Sequence, residues 1–169
     1  LLTEALKVRK EKLGTNHSDY AETLDWLGYA FLMTNNFDEA SEALSEAHRI
    51  LTENSYKKKA QYGESLKHMS HYYAYVGKPV LADVYGKKTI NYYATEYGEK
   101  HPEDAYVLGT IAYIANTKGE YKKGIQSLEE ALLIFGNYYG KTHPDYVGIL
   151  CNLGMAYQGL KDYDKAIPL

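Results

Sequence analysis

The sequence predicts an all-α fold built from repeated pairs of helices. Three observations support this prediction. Apolar residues recur with the period of an α-helix, one residue pattern returns at a fixed interval along the chain, and glycine or asparagine separates the two helical stretches inside most copies of that pattern. Proline is also rare, with 4 in 169 residues, which suits a helical chain.

The repeat is marked by histidines. His101 and His143 lie 42 positions apart, and His17 precedes His101 by twice that interval. The same step links two columns of apolar residues, which are Leu24, Leu66, Leu108 and Leu150, and Leu27, Met69, Ile111 and Leu153. Because hydrophobic character persists through four copies at one phase, we infer an internal repeat.

Each repeat contains two helices, which we call helix A and helix B. In the first full repeat the apolar residues Leu24, Leu27 and Phe31 have the spacing of one helical face, and Ala40, Leu44, Ala47 and Leu51 have it again. Asn35, Gly77 and Gly119 stand between the two stretches and supply the left-handed residue that ends a helix. We expect helix A to begin near residues 18, 60, 102 and 144, and seven helices or partial helices in total.

This phase divides the chain into segments of one predicted solenoid domain, 1–169. Residues 1–14 are expected to be helix B of a truncated repeat, 15–56 a repeat, 57–98 a divergent repeat, 99–140 a repeat and 141–169 an incomplete repeat. Both ends are interpreted as cuts through a longer array. Leu1, Leu2, Leu6 and Leu169 should then lack a covering helix, so that the ends fray or associate.

Composition excludes several classes of function. The formal net charge of −3 argues against the basic surface that is typical of nucleic-acid-binding proteins. No apolar run reaches the ~18 residues that span a bilayer. We therefore expect no nucleic-acid partner and no membrane insertion. The single cysteine, Cys151, cannot form an internal disulfide, which favours a cytoplasmic protein.

No pattern predicts catalysis, a metal or a cofactor. His68 and His71 lie one turn apart, but no carboxylate or cysteine ligand accompanies them at a spacing typical of metal sites. The segment 136–142 has three residues between its glycines where a phosphate loop needs four, and no predicted strand precedes it. We predict that the chain is not an enzyme.

The repeat resembles that of a known family. Leu150, Leu153, Gly154 and Tyr157, followed by Tyr163 and Ala166, are similar to the pattern of the tetratricopeptide repeat. The 42-residue length and the His-Pro pairs at 101–102 and 143–144 resemble the kinesin-light-chain subclass. The resemblance implies a tetratricopeptide-type α-solenoid of helix-turn-helix repeats that forms a right-handed superhelix.

The resemblance also implies where a ligand would bind. In the family, the helix A residues that are not used in packing line a concave groove that holds peptides. The residues selected on this sequence are Asp25, Trp26, Tyr29, Lys67, His68, His71, Tyr75, Tyr106, Tyr113, Asn116 and Asn152. Aromatic rings and amides suit an extended peptide, although Asn152 alone matches the asparagine that kinesin light chains carry at the sixth position of helix A.

The predicted function is that of a non-catalytic scaffold that binds a protein or peptide. Two alternatives remain open at this stage. The chain could be a regulatory or adaptor segment of a larger multidomain protein, or a module that assembles end to end with copies of itself.

Overall fold

A computed structural model of the chain describes residues 1–54, 56, 60–98 and 100–168. The helices of these residues are α1 (Leu2–Leu13), α2 (Ser18–Met33), α3 (Phe37–Glu53), α4 (Ala60–Tyr75), α5 (Pro79–Tyr97), α6 (Pro102–Thr117), α7 (Tyr121–Tyr138), α8 (Pro144–Gly159) and α9 (Tyr163–Ala166). The described residues contain no strand, so the all-α class is confirmed. The four predicted starts of helix A are confirmed by α2, α4, α6 and α8.

The predicted total of seven helices is wrong, because nine are present in the described part of the chain. The two terminal segments form hydrogen-bonded helices in addition to α2–α8. In α1 the Ala5 N–H donates to the Leu1 carbonyl at 2.9 Å, and in α9 the Ala166 N–H donates to the Asp162 carbonyl at 3.1 Å.

Histidine side chains begin three of the A helices. The Nδ1 atoms of His17, His101 and His143 accept the backbone N–H groups of Asp19, Glu103 and Asp145 at 3.1, 3.3 and 3.3 Å. Each histidine therefore satisfies one of the N–H groups that a helix start leaves without a partner inside the helix. This confirms the recurring histidines as helix-entry residues. The equivalent position in the divergent repeat is Lys59, which lies outside the described residues.

Each helix A ends in the same left-handed turn. The turn residues Asn35, Gly77, Gly119 and Lys161 have φ angles of 60°, 70°, 76° and 62°. The residue that follows donates its N–H to a carbonyl near the helix end, from Asn36 to Phe31 at 2.9 Å and from Glu120 to Ala115 at 2.8 Å. This hydrogen-bond pattern is the Schellman motif, which reverses the chain into helix B.

The helices group into two compact units, Leu1–Lys78 and Pro79–Leu169. In the first unit α2 packs against α1, α3 and α4, and α3 packs against α4. Helices α2 and α3 approach closely because Gly28 has no side chain, since a Cβ there would lie 2.8 Å from Leu44 Cγ. Ala21, Ile50 and Leu51 form a fully buried cluster in this unit.

In the second unit α6 packs against α5, α7 and α8, α7 also packs against α8, and α8 packs against α9. Its core contains Ala105, Leu108, Ala112, Ile125, Leu128, Ala131, Ile134, Phe135, Ile149, Leu153 and Ala156. Leu108 is buried here and Leu66 is buried in the first unit, whereas Leu24 and Leu27 are half-buried. The last two line a cavity of about 600 Å³ between α2 and α3, which leaves them partly open to solvent.

The residues expected at uncovered ends differ in exposure. Leu1 is fully exposed and Leu2 is 38% exposed, whereas Leu6 is half-buried against the rest of its unit. Leu169 lies outside the described residues.

Candidate functional site

In the first unit, a buried ion-pair-like contact joins the two A helices. Asp25 of α2 and His68 of α4 are 2% and 1% exposed, and His68 Nδ1 lies 2.5 Å from Asp25 Oδ2. Burial raises the pKa of Asp25, while the nearby imidazole opposes this shift. The second carboxylate oxygen, Oδ1, is buried without a hydrogen-bond partner in the described structure. These two predicted groove residues therefore lie beneath the surface and hold α2 against α4.

Aromatic rings cover this contact. Tyr29 stacks on His68 with ring centroids 4.3 Å apart, and Trp26 meets the same imidazole edge-on at 4.9 Å. His71 lies 6.0 Å from Tyr29. Trp26 remains 43% exposed and Tyr75, one helical turn beyond His71, is 51% exposed. Five predicted groove residues thus occupy one region of the α2–α4 face, with Trp26 and Tyr75 accessible to a partner.

Lys67 is a buried cation on the same helix. It is 8% exposed, and its Nζ lies 2.9 Å from Glu64 Oε2. Burying a charge is costly unless it is paired, so this contact compensates the ammonium group. Lys67 is therefore a buried, paired charge on α4 and not an exposed one.

A small cavity opens beside the buried carboxylate. It has a volume of about 120 Å³, and it is lined by Glu22, Asp25, Trp26, Ala60, Gln61 and Glu64. Three of these residues are acidic and none is basic. Arg9 of α1 reaches the outer carboxylate, with its Nη1 3.0 Å from Glu22 Oε2.

In the second unit, a larger cavity lies between α6 and α8. It has a volume of about 320 Å³, and it is lined by Gly109, Ala112, Tyr113, Asn116, Thr117, Tyr121, Asn152 and Met155. Three predicted groove residues, Tyr113, Asn116 and Asn152, therefore line one cavity. Tyr113 is 53% exposed, whereas the Asn116 Oδ1 atom is buried without a hydrogen-bond partner in the described structure.

Tyr106, the remaining predicted groove residue, lies elsewhere in this unit. Its hydroxyl donates to Asp145 Oδ2 at 2.5 Å, and its ring packs edge-on against Phe135 at 5.1 Å. Burial and the neighbouring Asp145 carboxylate raise the pKa of Tyr106 well above its ordinary value. Tyr106 therefore ties α6 to α7 and α8, and it does not line the cavity of Tyr113.

Sequence reasoning did not select Tyr121, although it lines the cavity in the second unit. Its ring lies against Gly159 of α8, where a Cβ would come within 2.3 Å of the ring. The sequence feature that could have identified Tyr121 is its position as the first residue of helix B, which is equivalent to Phe37 and Tyr163 in other repeats. That position places its side chain beside the end of the A helices.

Metal-binding clusters and membrane-spanning helices are both absent from the described part of the chain. Nowhere in it do three or more histidine, cysteine or acidic side chains come together in a way that could hold a metal ion. None of its helices combines the length and the apolar character needed to cross a bilayer.

Comparisons with known proteins agree with this architecture. A tetratricopeptide repeat family model matches residues 103–169. The crystal structure of BtubC (BKLC) from P. vanneervenii is similar, with 21% sequence identity and a TM-score of 0.80 over 99% of this chain and 66% of that one. This chain therefore spans just under two thirds of the length of that protein.

Two further crystal structures show the nearly identical TPR-like repeats of a Podosopora anserina protein assigned as a kinesin light chain. They have TM-scores of 0.72 and 0.70, and both are 17% identical over 99% of this chain and 79% of theirs. No curated protein matches the sequence significantly.

The paired helices, their shared turn and these structural neighbours define a helical repeat protein of the α-solenoid class. Residues 103–169 match the tetratricopeptide repeat family model, and the chain as a whole is similar in fold to the repeats of these neighbours. Proteins with these repeats are generally non-catalytic scaffolds for protein interactions.

Proposed function

We propose that this chain is a non-catalytic, cytoplasmic scaffold that binds a peptide or an extended segment of a partner protein on the A-helix faces of its repeats. The observation that carries the proposal is the cavity of the second unit. Tyr113, Asn116 and Asn152 share it, and its lining contains no charged side chain. Such a surface offers contact area and main-chain hydrogen bonds without the cost of burying a charge.

The polar groups of this cavity suit a peptide backbone. Asn152 is exposed, and its amide can both donate and accept a hydrogen bond. Asn116 lines the same cavity, but its Oδ1 is buried and faces Gly124 of α7, where a Cβ would lie 2.1 Å away. Beside these amides, the half-exposed Tyr113 and the 59% exposed Met155 provide apolar contacts.

In the first unit the accessible part of the corresponding face is aromatic. Trp26 and Tyr75 are exposed there, while Asp25 and His68 support the rings from below. Tryptophan and tyrosine are enriched among the residues that dominate binding energy at interfaces. Each unit thus offers an exposed aromatic residue on its own A helices.

The proposal is tested by selecting binders from a library of random peptides against the whole chain, and then measuring each binder with single variants. We expect Tyr113→Ala to weaken binding by about 2 kcal/mol, or roughly thirtyfold. Asn152→Ala should also weaken binding, with little change in thermal unfolding because its side chain is exposed. Gln126→Ala, which removes an exposed amide from helix α7 outside the cavity, is the control. If the selected peptides bind the Tyr113 and Asn152 variants as tightly as the parent chain, this face is not the binding site.

A further inference from the structure

The small cavity in the first unit is lined by three acidic residues. Its carboxylates come from both A helices, with Glu22 and Asp25 on α2 and Glu64 on α4. None of its described lining residues is basic. Each carboxylate nevertheless has a cationic or imidazole contact, from Arg9, His68 and Lys67 respectively. These contacts approach from outside the cavity lining, and they hold the carboxylates around the empty space.

The buried carboxylate is incompletely satisfied. Asp25 is 2% exposed, and its Oδ2 contacts His68, but its Oδ1 has no hydrogen-bond partner in the described structure. A buried acceptor without a partner costs about 1–3 kcal/mol, and more when it is charged. Because Asp25 lines the cavity, a cation placed there would lie beside this carboxylate.

One wall of the cavity is an aromatic ring. Trp26 is 43% exposed, and its position is fixed by edge-on contacts with His68 at 4.9 Å and Tyr29 at 6.1 Å. The face of an indole attracts a cation, most strongly when the cation is partly desolvated. A planar guanidinium can stack on such a ring while it donates to two carboxylates at once.

We propose that this cavity binds one basic side chain, with arginine the best fit, from the partner peptide. The volume of about 120 Å³ admits the end of a single side chain. A divalent metal is disfavoured, because the described acidic and histidine side chains do not form a group of three that could hold a metal. The inference rests on the proposed function for the ligand being a peptide, but the preference of the cavity for a cation is testable without any peptide.

Trp26 makes that test specific, because it is the single tryptophan of the chain. Its fluorescence and its indole Nε1–H resonance report on the side chain that forms this wall. The probe is N-acetyl-arginine amide, titrated into the whole chain, and N-acetyl-citrulline amide is its neutral isostere. We expect saturable changes in the Trp26 signals with the arginine probe and at least about tenfold weaker binding of the citrulline probe.

Variants assign the binding to the carboxylates. Asp25→Asn retains an acceptor for His68 but removes the charge, and it should weaken binding of the arginine probe about tenfold. If that variant does not fold, Glu22→Gln, whose side chain is half-exposed, serves instead and should weaken binding by a smaller factor. Glu39→Gln on α3 is the matched control, because Glu39 is exposed and does not line this cavity.

Equal binding of the two probes, an unchanged affinity in the Asp25 and Glu22 variants, or an equal loss in the Glu39 variant would overturn the inference. The result is independent of the second unit. Binding of arginine without any selected peptide would leave this inference standing and would count against the proposed function. If selected peptides bind through Tyr113 but the arginine probe does not bind near Trp26, the proposed function stands and this inference is wrong.

Discussion

Asp104 is a buried carboxylate whose ionisation opposes folding. It lies in the first turn of α6, is 5% exposed, and has an Oδ1 atom without a hydrogen-bond partner in the described structure. Burial raises its pKa to about 6, although a backbone hydrogen bond from His101 works in the opposite direction. The folded state therefore binds this proton more tightly than the unfolded state, whose aspartates titrate near pH 4.

The sign of the pH dependence follows from that difference. Between about pH 4 and pH 6 the folded chain holds more protons than the unfolded chain at this position, so the contribution of Asp104 to the free energy of unfolding falls as the pH rises. About one pH unit above the folded-state pKa of about 6, the carboxylate is ionised and the penalty is complete. We predict that Asp104→Asn raises the free energy of unfolding by about 2 kcal/mol at pH 7.5 and has little effect at pH 4.

Urea denaturation of the parent chain and of the variant at the two pH values measures this difference. Asp38→Asn is the control, because Asp38 also lies in the first turn of a helix but is exposed. Its substitution should show no such gain at neutral pH. A loss of stability of equal size at both pH values in Asp104→Asn would mean that the carboxylate supports the helix start instead.

At the scale of the helix pair, the left-handed turn after helix A is formed by glycine in some repeats and by a residue with a side chain in others. Gly119 adopts φ 76° without a steric penalty, whereas Lys161 adopts φ 62° at the equivalent place in the last repeat. A side chain in this conformation costs about 1 kcal/mol, because its Cβ crowds the following carbonyl. The repeat therefore tolerates a strained residue where the Schellman hydrogen bonds are retained.

We predict that Lys161→Gly stabilises the second unit by about 0.5–1 kcal/mol and that Gly119→Ala destabilises it by a similar amount. Thermal unfolding followed by circular dichroism measures both changes. Lys118→Gly, at the preceding residue of the same turn as Gly119, is the control, since Lys118 has φ −88° and gains nothing from glycine. Stabilisation by glycine at both lysine positions would point to charge removal rather than to relief of backbone strain.

At the scale of the whole molecule, both chain ends expose apolar side chains. Leu1 is 102% exposed, Val8 and Leu13 of α1 are 55% and 44% exposed, and Ile167 near the other end is 82% exposed. In repeat proteins, terminal repeats normally carry a polar outer face. The end-to-end association considered from the sequence thus has apolar surface available at either end of the chain.

We predict that the chain self-associates as its concentration rises, and that Val8→Glu shifts it toward the monomer. Sedimentation velocity over a concentration series measures the change. Val80→Glu supplies the matched control, because Val80 is a 74% exposed valine on α5, far from both ends in sequence. A chain that sediments as a monomer at every concentration would contradict the prediction.

The amino-acid sequence by itself determined the repeat, the starts of the four A helices and the left-handed turns that end them. These features depend on local spacing, on caps such as His17 and on φ preferences at positions such as Gly77, which each repeat displays within its own residues. The sequence also brought Tyr113, Asn116 and Asn152 together, because equivalent phases on neighbouring A helices face the same side.

Only the tertiary structure decided which of the selected residues are accessible. Asp25 and His68 carry polar side chains at positions expected to be exposed, yet they bury each other one repeat apart, and Tyr106 joins Asp145 across another such interval. Periodicity states the direction in which a side chain leaves its helix, but it does not state what meets the side chain there. The contact, the burial and the resulting pKa all depend on residues contributed by the next repeat, whose distance is set by packing rather than by local sequence.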